Sequence, residues 1–162
     1  MKHFLALYFL FLLLLFVFFY APTTDISVAI NTLQNRWTLA ALNLFLEPRM
    51  LKGVDIWVNS HYKIVITQAC NGMIPILFLY ASILAYPSRM KHKIIWMIVG
   101  YIIFFMVNIA RLIWVVYVTQ EGKGHGDFYW SHDIIGNIIL MLTGVGLFWS
   151  YIKTSEVKNL QF

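Results

Sequence analysis

The chain has a single cysteine, Cys70, among its 162 residues. One thiol cannot close an intramolecular disulfide. It also excludes a Cys-x-x-Cys redox pair and a zinc cage built from cysteines. The quinone-linked enzymes that form disulfides in membranes are excluded with them. Charge is scarce too. Only 12% of residues are Asp, Glu, Lys or Arg, about half the usual ~25% of a soluble domain. Acids number 7 against 12 bases, for a formal charge of +5. The bases are spread along the chain and form no basic face, so this charge does not point to nucleic acid. No internal repeat or low-complexity tract is present.

Apolar residues are abundant, at 60% of the chain. They lie in blocks rather than at amphipathic spacing, which predicts a small all-α integral membrane protein with one membrane domain over residues 1–162. The first block, Phe4 to Tyr20, is expected to form a helix over 4–20. Lys2 and His3 precede it as in a signal peptide. Pro22 follows Ala21 at once, however, and no small-x-small site appears, so the helix is expected to be retained. Further spans are expected at about 72–86, 94–118 and 134–152, giving about four transmembrane helices. Between the first two lies the segment 21–71. Ile26, Ile30, Leu33, Trp37, Ala40, Ala41 and Leu44 recur there at helical spacing, with Asp25, Asn31, Gln34 and Asn35 between them. That pattern predicts an amphipathic helix on the membrane surface. "EPRMLKGVD" reads as a turn, and "VDIWVNSHYKIVIT" as a short strand or hairpin cap.

The loop "PSRMKHK" carries Arg89, Lys91 and Lys93 and is expected to be cytoplasmic. With four spans in a plasma (inner) membrane, both termini are then cytoplasmic, and 21–71 and 119–133 are extracytoplasmic. Six of the seven acids fall in those outer segments.

This topology brings three distant residues to one depth on the outer side. Cys70 opens the second span and His132, in "WSHDIIG", opens the last. Arg111, in "VNIARLIW", lies seven residues before Val118, roughly 10 Å below the outer rim if helical. An arginine so placed costs at least ~2.5 kcal/mol to insert and is expected to face a partner or a wet cavity. Snorkelling to the interface is the plainer alternative. Asn108 sits at i−3 on the same helical face. Pro75 suits a first helical turn, so the helix is expected to begin near Gly72 with Cys70 at its N-terminal end, where a thiolate is favoured. A lone cysteine in an apolar chain is more often an inert small hydrophobe. Ser131 is a candidate cap beside His132. His61 and His125 compete with His132 for any acid–base role. A two-histidine haem site is disfavoured, because the other histidines fall in loops or helix ends.

"QACNGM" before a helix, "NIAR" within a helix and "SHDIIG" opening the last helix resemble the exosortase/archaeosortase family over roughly residues 65–150. Those proteins are polytopic membrane cysteine transpeptidases with a Cys, then an Arg, then a His or Arg. Gln68 stands where many members carry an acid, and the chain resembles a minimal core of the family. The resemblance implies Cys70, Arg111 and His132 as catalytic residues, with Gln68, Asn71, Asn108 and Asp133 as supporting or substrate-binding ones. It implies no metal and no cofactor. The implied substrates are secreted proteins ending in a sorting motif, a hydrophobic helix and a basic tail, cut through a Cys70 thioester. Two other classes stand beside it. One is a non-enzymatic membrane subunit of an export or polysaccharide assembly complex. The other is an ion or proton pathway through Arg111, His132 and Asp133.

Overall fold

A computed structural model describes residues 2–22, 24–47, 50–58, 63–121 and 129–159. Helix α1 spans Lys2–Phe19 and α2 spans Asp25–Leu42. Three short strands follow: β1 (Leu51–Lys52), β2 (Asp55–Trp57) and β3 (Lys63–Val65). A 3-10 turn, Gln68–Cys70, leads to α3 (Met73–Ala85) and α4 (Met90–Glu121). A π-helical turn, Tyr129–Ile135, runs into α5 (Gly136–Asn159).

Helix α1 is apolar on every side and none of its residues is buried. Only lipid is left to cover such a surface. Among the described residues, three helical stretches are long and apolar enough to cross a membrane: Lys2–Phe19, Met90–Gln120 and Gly136–Ser155. Helix α3 is also apolar, but its 13 residues rise only about 20 Å, short of a ~30 Å hydrocarbon core. The fold is an all-α integral membrane protein with a small sheet.

Helix α4 organises the packing. Its 32 residues rise roughly 48 Å, more than a bilayer core requires. One half, around Phe104, packs with Ile76, Leu79 and Ile83 of α3 and with Leu140, Leu147 and Tyr151 of α5. Gly100 lets α3 come close, since a Cβ there would lie 2.5 Å from a Leu79 methyl. The other half presents Ile109, Leu112, Val115 and Val116 to a second core built from Leu42, Met50, Ile56, Ile64, Ile66 and Cys70.

The sheet is antiparallel in the order β1-β2-β3, with Ile56 paired to Ile64. Both isoleucines are buried, while Lys63 faces out and bonds Asp55 at 2.7 Å. Gly53, with φ of 65°, makes the turn between β1 and β2. The stretch read as a turn therefore supplies β1 as well.

Helix α2 is capped by Thr24, whose hydroxyl accepts from the Ser27 N–H at 3.1 Å. Its polarity is arranged in a way the surface-helix reading does not anticipate. A helix resting on a membrane shows its polar face to water. Here Ser27, Asn31, Gln34 and Thr38 are buried within the protein, and Ile26, Leu33 and Trp37 face outward.

Candidate active site

The site grows from the turn between the sheet and α3. After the 3-10 turn, Gly72 takes φ of 75°, and its Cα lies against Asn108, which a Cβ would meet at 3.0 Å. Only glycine adopts that backbone without strain. Asn71 Oδ1 accepts from the Met73 N–H at 2.9 Å and so starts α3. The sequence reading has the helix begin near Gly72 with Cys70 at its end. In the structure Gly72 is the N-cap and α3 begins at Met73, with Cys70 two residues before the cap. The thiol's polar neighbours are His132 and Thr67, the latter through its backbone as well as its side chain.

Cys70 is buried, with 6% of its surface exposed. The Thr67 hydroxyl is 3.7 Å from Sγ, and His132 Nε2 is 3.6 Å away. The same Nε2 lies 2.7 Å from Arg111 Nη2. Arg111 Nη1 donates to Asn108 Oδ1 at 3.3 Å, and Asn108 Nδ2 donates to the Cys70 carbonyl at 2.9 Å. Arg111 is 4% exposed, so it does not snorkel to the surface. Cys70, Arg111 and His132 thus come together from α4 and two separate turns. Asn108 ties the guanidinium to the thiol's own backbone.

Burial pushes the Cys70 thiol up. Hydrogen bonds from His132 and Thr67 and the charge of His132 outweigh burial, leaving the thiol below its ordinary value. That charge is present when the imidazole is protonated. In the neutral ring Nε2 accepts from Arg111, since a guanidinium only donates, and the ring proton sits on Nδ1. The thiol, which has a hydrogen to give, then faces the same lone pair.

Gln68 Nε2 donates to the Tyr20 carbonyl at 2.6 Å, anchoring the turn to the end of α1. Asn71 is fully buried. Asp133 lies in the π-helical turn with a side chain outside the described residues, as are His61 and His125 altogether. Among the described residues, no group of three or more His, Cys, Asp and Glu is placed to hold a metal ion. An apolar cavity of about 620 Å³ opens beside the cluster. Arg111 and Gly72 line one part of it, and Tyr8, Phe78, Met141, Val145 and Phe148 form its walls.

Sequence reasoning passed over Thr67, Asn31, Gln34 and Tyr101. A signal existed for two of them. Ser27, Asn31, Gln34 and Thr38 recur at steps of four, three and four, a polar stripe on one helical face.

A family model described as transmembrane exosortase matches residues 2–149. The chain belongs to the transmembrane exosortase family. No curated protein and no solved structure matches it. The match reaches from α1 into α5, so it includes every side chain of the exosortase cluster just described. Membership supports a transpeptidase-type role in the membrane.

Proposed function

We propose that this exosortase is a cysteine transpeptidase or endopeptidase that cleaves the C-terminal sorting signal of secreted proteins at the extracytoplasmic face. The observation that carries this reading is His132 Nε2 lying within 3.6 Å of Cys70 Sγ and 2.7 Å of Arg111 Nη2. A nucleophile, a base and a fixed cation share one atom's surroundings.

The chemistry follows from those positions. Cys70 passes its proton to His132 Nε2, and the thiolate attacks the scissile carbonyl. Once Nε2 holds that proton it no longer accepts from Arg111. The guanidinium is then released toward the developing oxyanion, where buried charge acts most strongly. The C–N bond breaks, the amine leaves with the proton from Nε2, and a thioester remains on Cys70. An acceptor amine or hydroxyl, or water, then attacks the thioester. Its proton goes to Nε2 and the thiol is restored. The apolar cavity beside Arg111 suits the hydrophobic helix of the sorting signal. No described residue offers a reason to prefer the non-enzymatic or proton-pathway readings.

The test is substitution of the thiol. Cys70→Ala and Cys70→Ser should accumulate in the membrane and bind substrate, and neither should release the C-terminal tail. Wild type quenched in acid should carry a substrate adduct that hydroxylamine removes. A Cys70→Ala variant cleaving near the wild-type rate would return Cys70 to an inert core residue.

A further inference from the structure

The 3-10 turn that carries Cys70 ends before α3 begins, and the carbonyls at that junction need donors inside an apolar protein. Asn108 supplies one, at the Cys70 carbonyl. The next carbonyl, that of Asn71, accepts from Gln34 Nε2 at 3.1 Å. Gln34 lies on α2 and is 3% exposed. Its amide is itself oriented, because the Tyr101 hydroxyl of α4 donates to Oε1 at 2.5 Å. With Oε1 held by Tyr101, only Nε2 is left to face Asn71. Asn31, one turn earlier on α2, completes the clamp. Its Oδ1 accepts from Asn71 Nδ2 at 3.1 Å, and its Nδ2 donates to Phe19 at 2.8 Å and Ser27 at 2.7 Å. Both the backbone and the side chain of Asn71 are therefore held from α2, while Cys70 is held from α4.

We propose that Gln34, oriented by Tyr101, is a positioning residue that aims the Cys70 thiol at His132. The proposal rests on Cys70 being the nucleophile. It assigns a task to the inward polar face of α2, which no step of the proposed reaction otherwise uses. The physical reason is the geometry of the turn. The Asn71 carbonyl lies in the peptide plane shared with Gly72, one plane beyond the Cys70–Asn71 peptide. Freeing it lets Asn71 rotate about its own backbone, carrying Sγ off the 3.6 Å contact with Nε2. Small misplacements of a reacting atom lower rates by up to about a hundredfold.

The experiment uses the full chain in detergent micelles and reads two things. The first is the pH profile of Cys70 alkylation by iodoacetamide, with no substrate present. The second is kcat and KM for a substrate peptide. Gln34→Met keeps the volume and removes both hydrogen bonds. It should raise the alkylation midpoint and lower kcat on the order of tenfold to a hundredfold, with KM within about twofold. Tyr101→Phe should do the same to a smaller degree. The two effects should not add in the double variant, because Tyr101 acts only through Gln34. Wild-type profiles and kcat in both single variants, or full additivity, would overturn the proposal. If Gln34→Met fails to accumulate, Tyr101→Phe decides alone: a raised midpoint with lowered kcat supports the positioning role, and wild-type values reject it. Failure of the nucleophile reading looks different, since Cys70→Ala itself would then cleave.

Discussion

At the residue scale, the thiol's environment yields a signed expectation. Two residues favour the thiolate against the effect of burial, His132 more strongly than the Thr67 side chain. Alkylation of Cys70 should therefore reach its half-maximal rate below the pH of an ordinary thiol, near 8.5. Thr67→Val removes the hydroxyl and leaves the Thr67 backbone contact in place, so it should move that midpoint slightly upward. His132→Ala should move it further, and a rate measured across pH orders the three proteins. Arg111→Lys keeps the charge but not the planar fork that reaches Asn108 and His132 at once. That variant should accumulate normally and lose about a hundredfold in kcat, the usual effect of removing an oxyanion donor. Full activity with lysine would reduce Arg111 to a structural anchor. The juxtaposition of Cys70, Arg111 and His132 was legible in the sequence, because the expected topology put all three at one depth on one side. Gln34 and Tyr101 were not, since an amide or a phenol on a helix is commonplace until its partner is known.

At the element scale, the entry to α3 depends on one backbone conformation. Gly72→Ala places a Cβ 3.0 Å from Asn108 and asks alanine to hold φ of 75°. Such strain costs roughly 1–3 kcal/mol. The variant should melt earlier in thermal unfolding and should also show a shifted Cys70 alkylation profile, because Asn108 holds the Cys70 carbonyl. A lowered melting temperature with an unchanged profile would uncouple the turn from the thiol. The cavity walls give a different expectation. Val145→Trp introduces bulk into the 620 Å³ space without touching the polar cluster. It should raise KM several-fold with kcat little changed, as loss of uniform binding does. Equal KM would separate the cavity from substrate binding. The helices were legible from hydropathy blocks, but their ends were not. Helix α3 falls about two turns short of a full span, and before its start Cys70 and Asn71 meet α4 and α2 instead of extending it. Those contacts are invisible to any local window.

At the scale of the whole molecule, the sheet and the basic loop lie at opposite ends of α4. Val116 packs in the sheet's core and Lys91 sits in the first turn of the helix, roughly 37 Å apart along the axis. That separation suits a cytoplasmic "PSRMKHK" loop and an extracytoplasmic sheet. In a Cys70→Ala background, Lys52→Cys on β1 should react with an impermeant maleimide from outside intact cells, and Lys91→Cys should not. The reverse labelling would place the Cys70 cluster on the cytoplasmic side.

What the sequence determined by itself was composition-level and chemical. A chain with 60% hydrophobic residues in blocks has no fold open to it in lipid but helices that satisfy their own backbone. Its rare polar anomalies, one thiol and one mid-helix arginine, were the places where burial needed partners. The tertiary structure decided which polar atoms meet. Whether the polar stripe of α2 faces water or protein depends on whether buried partners await it, and Asn71 and Tyr101 lie 37 and 67 residues beyond Gln34. Hydrogen bonding is short-ranged and directional. Only the packed chain could therefore bring the inward face of α2 to the turn that carries Cys70.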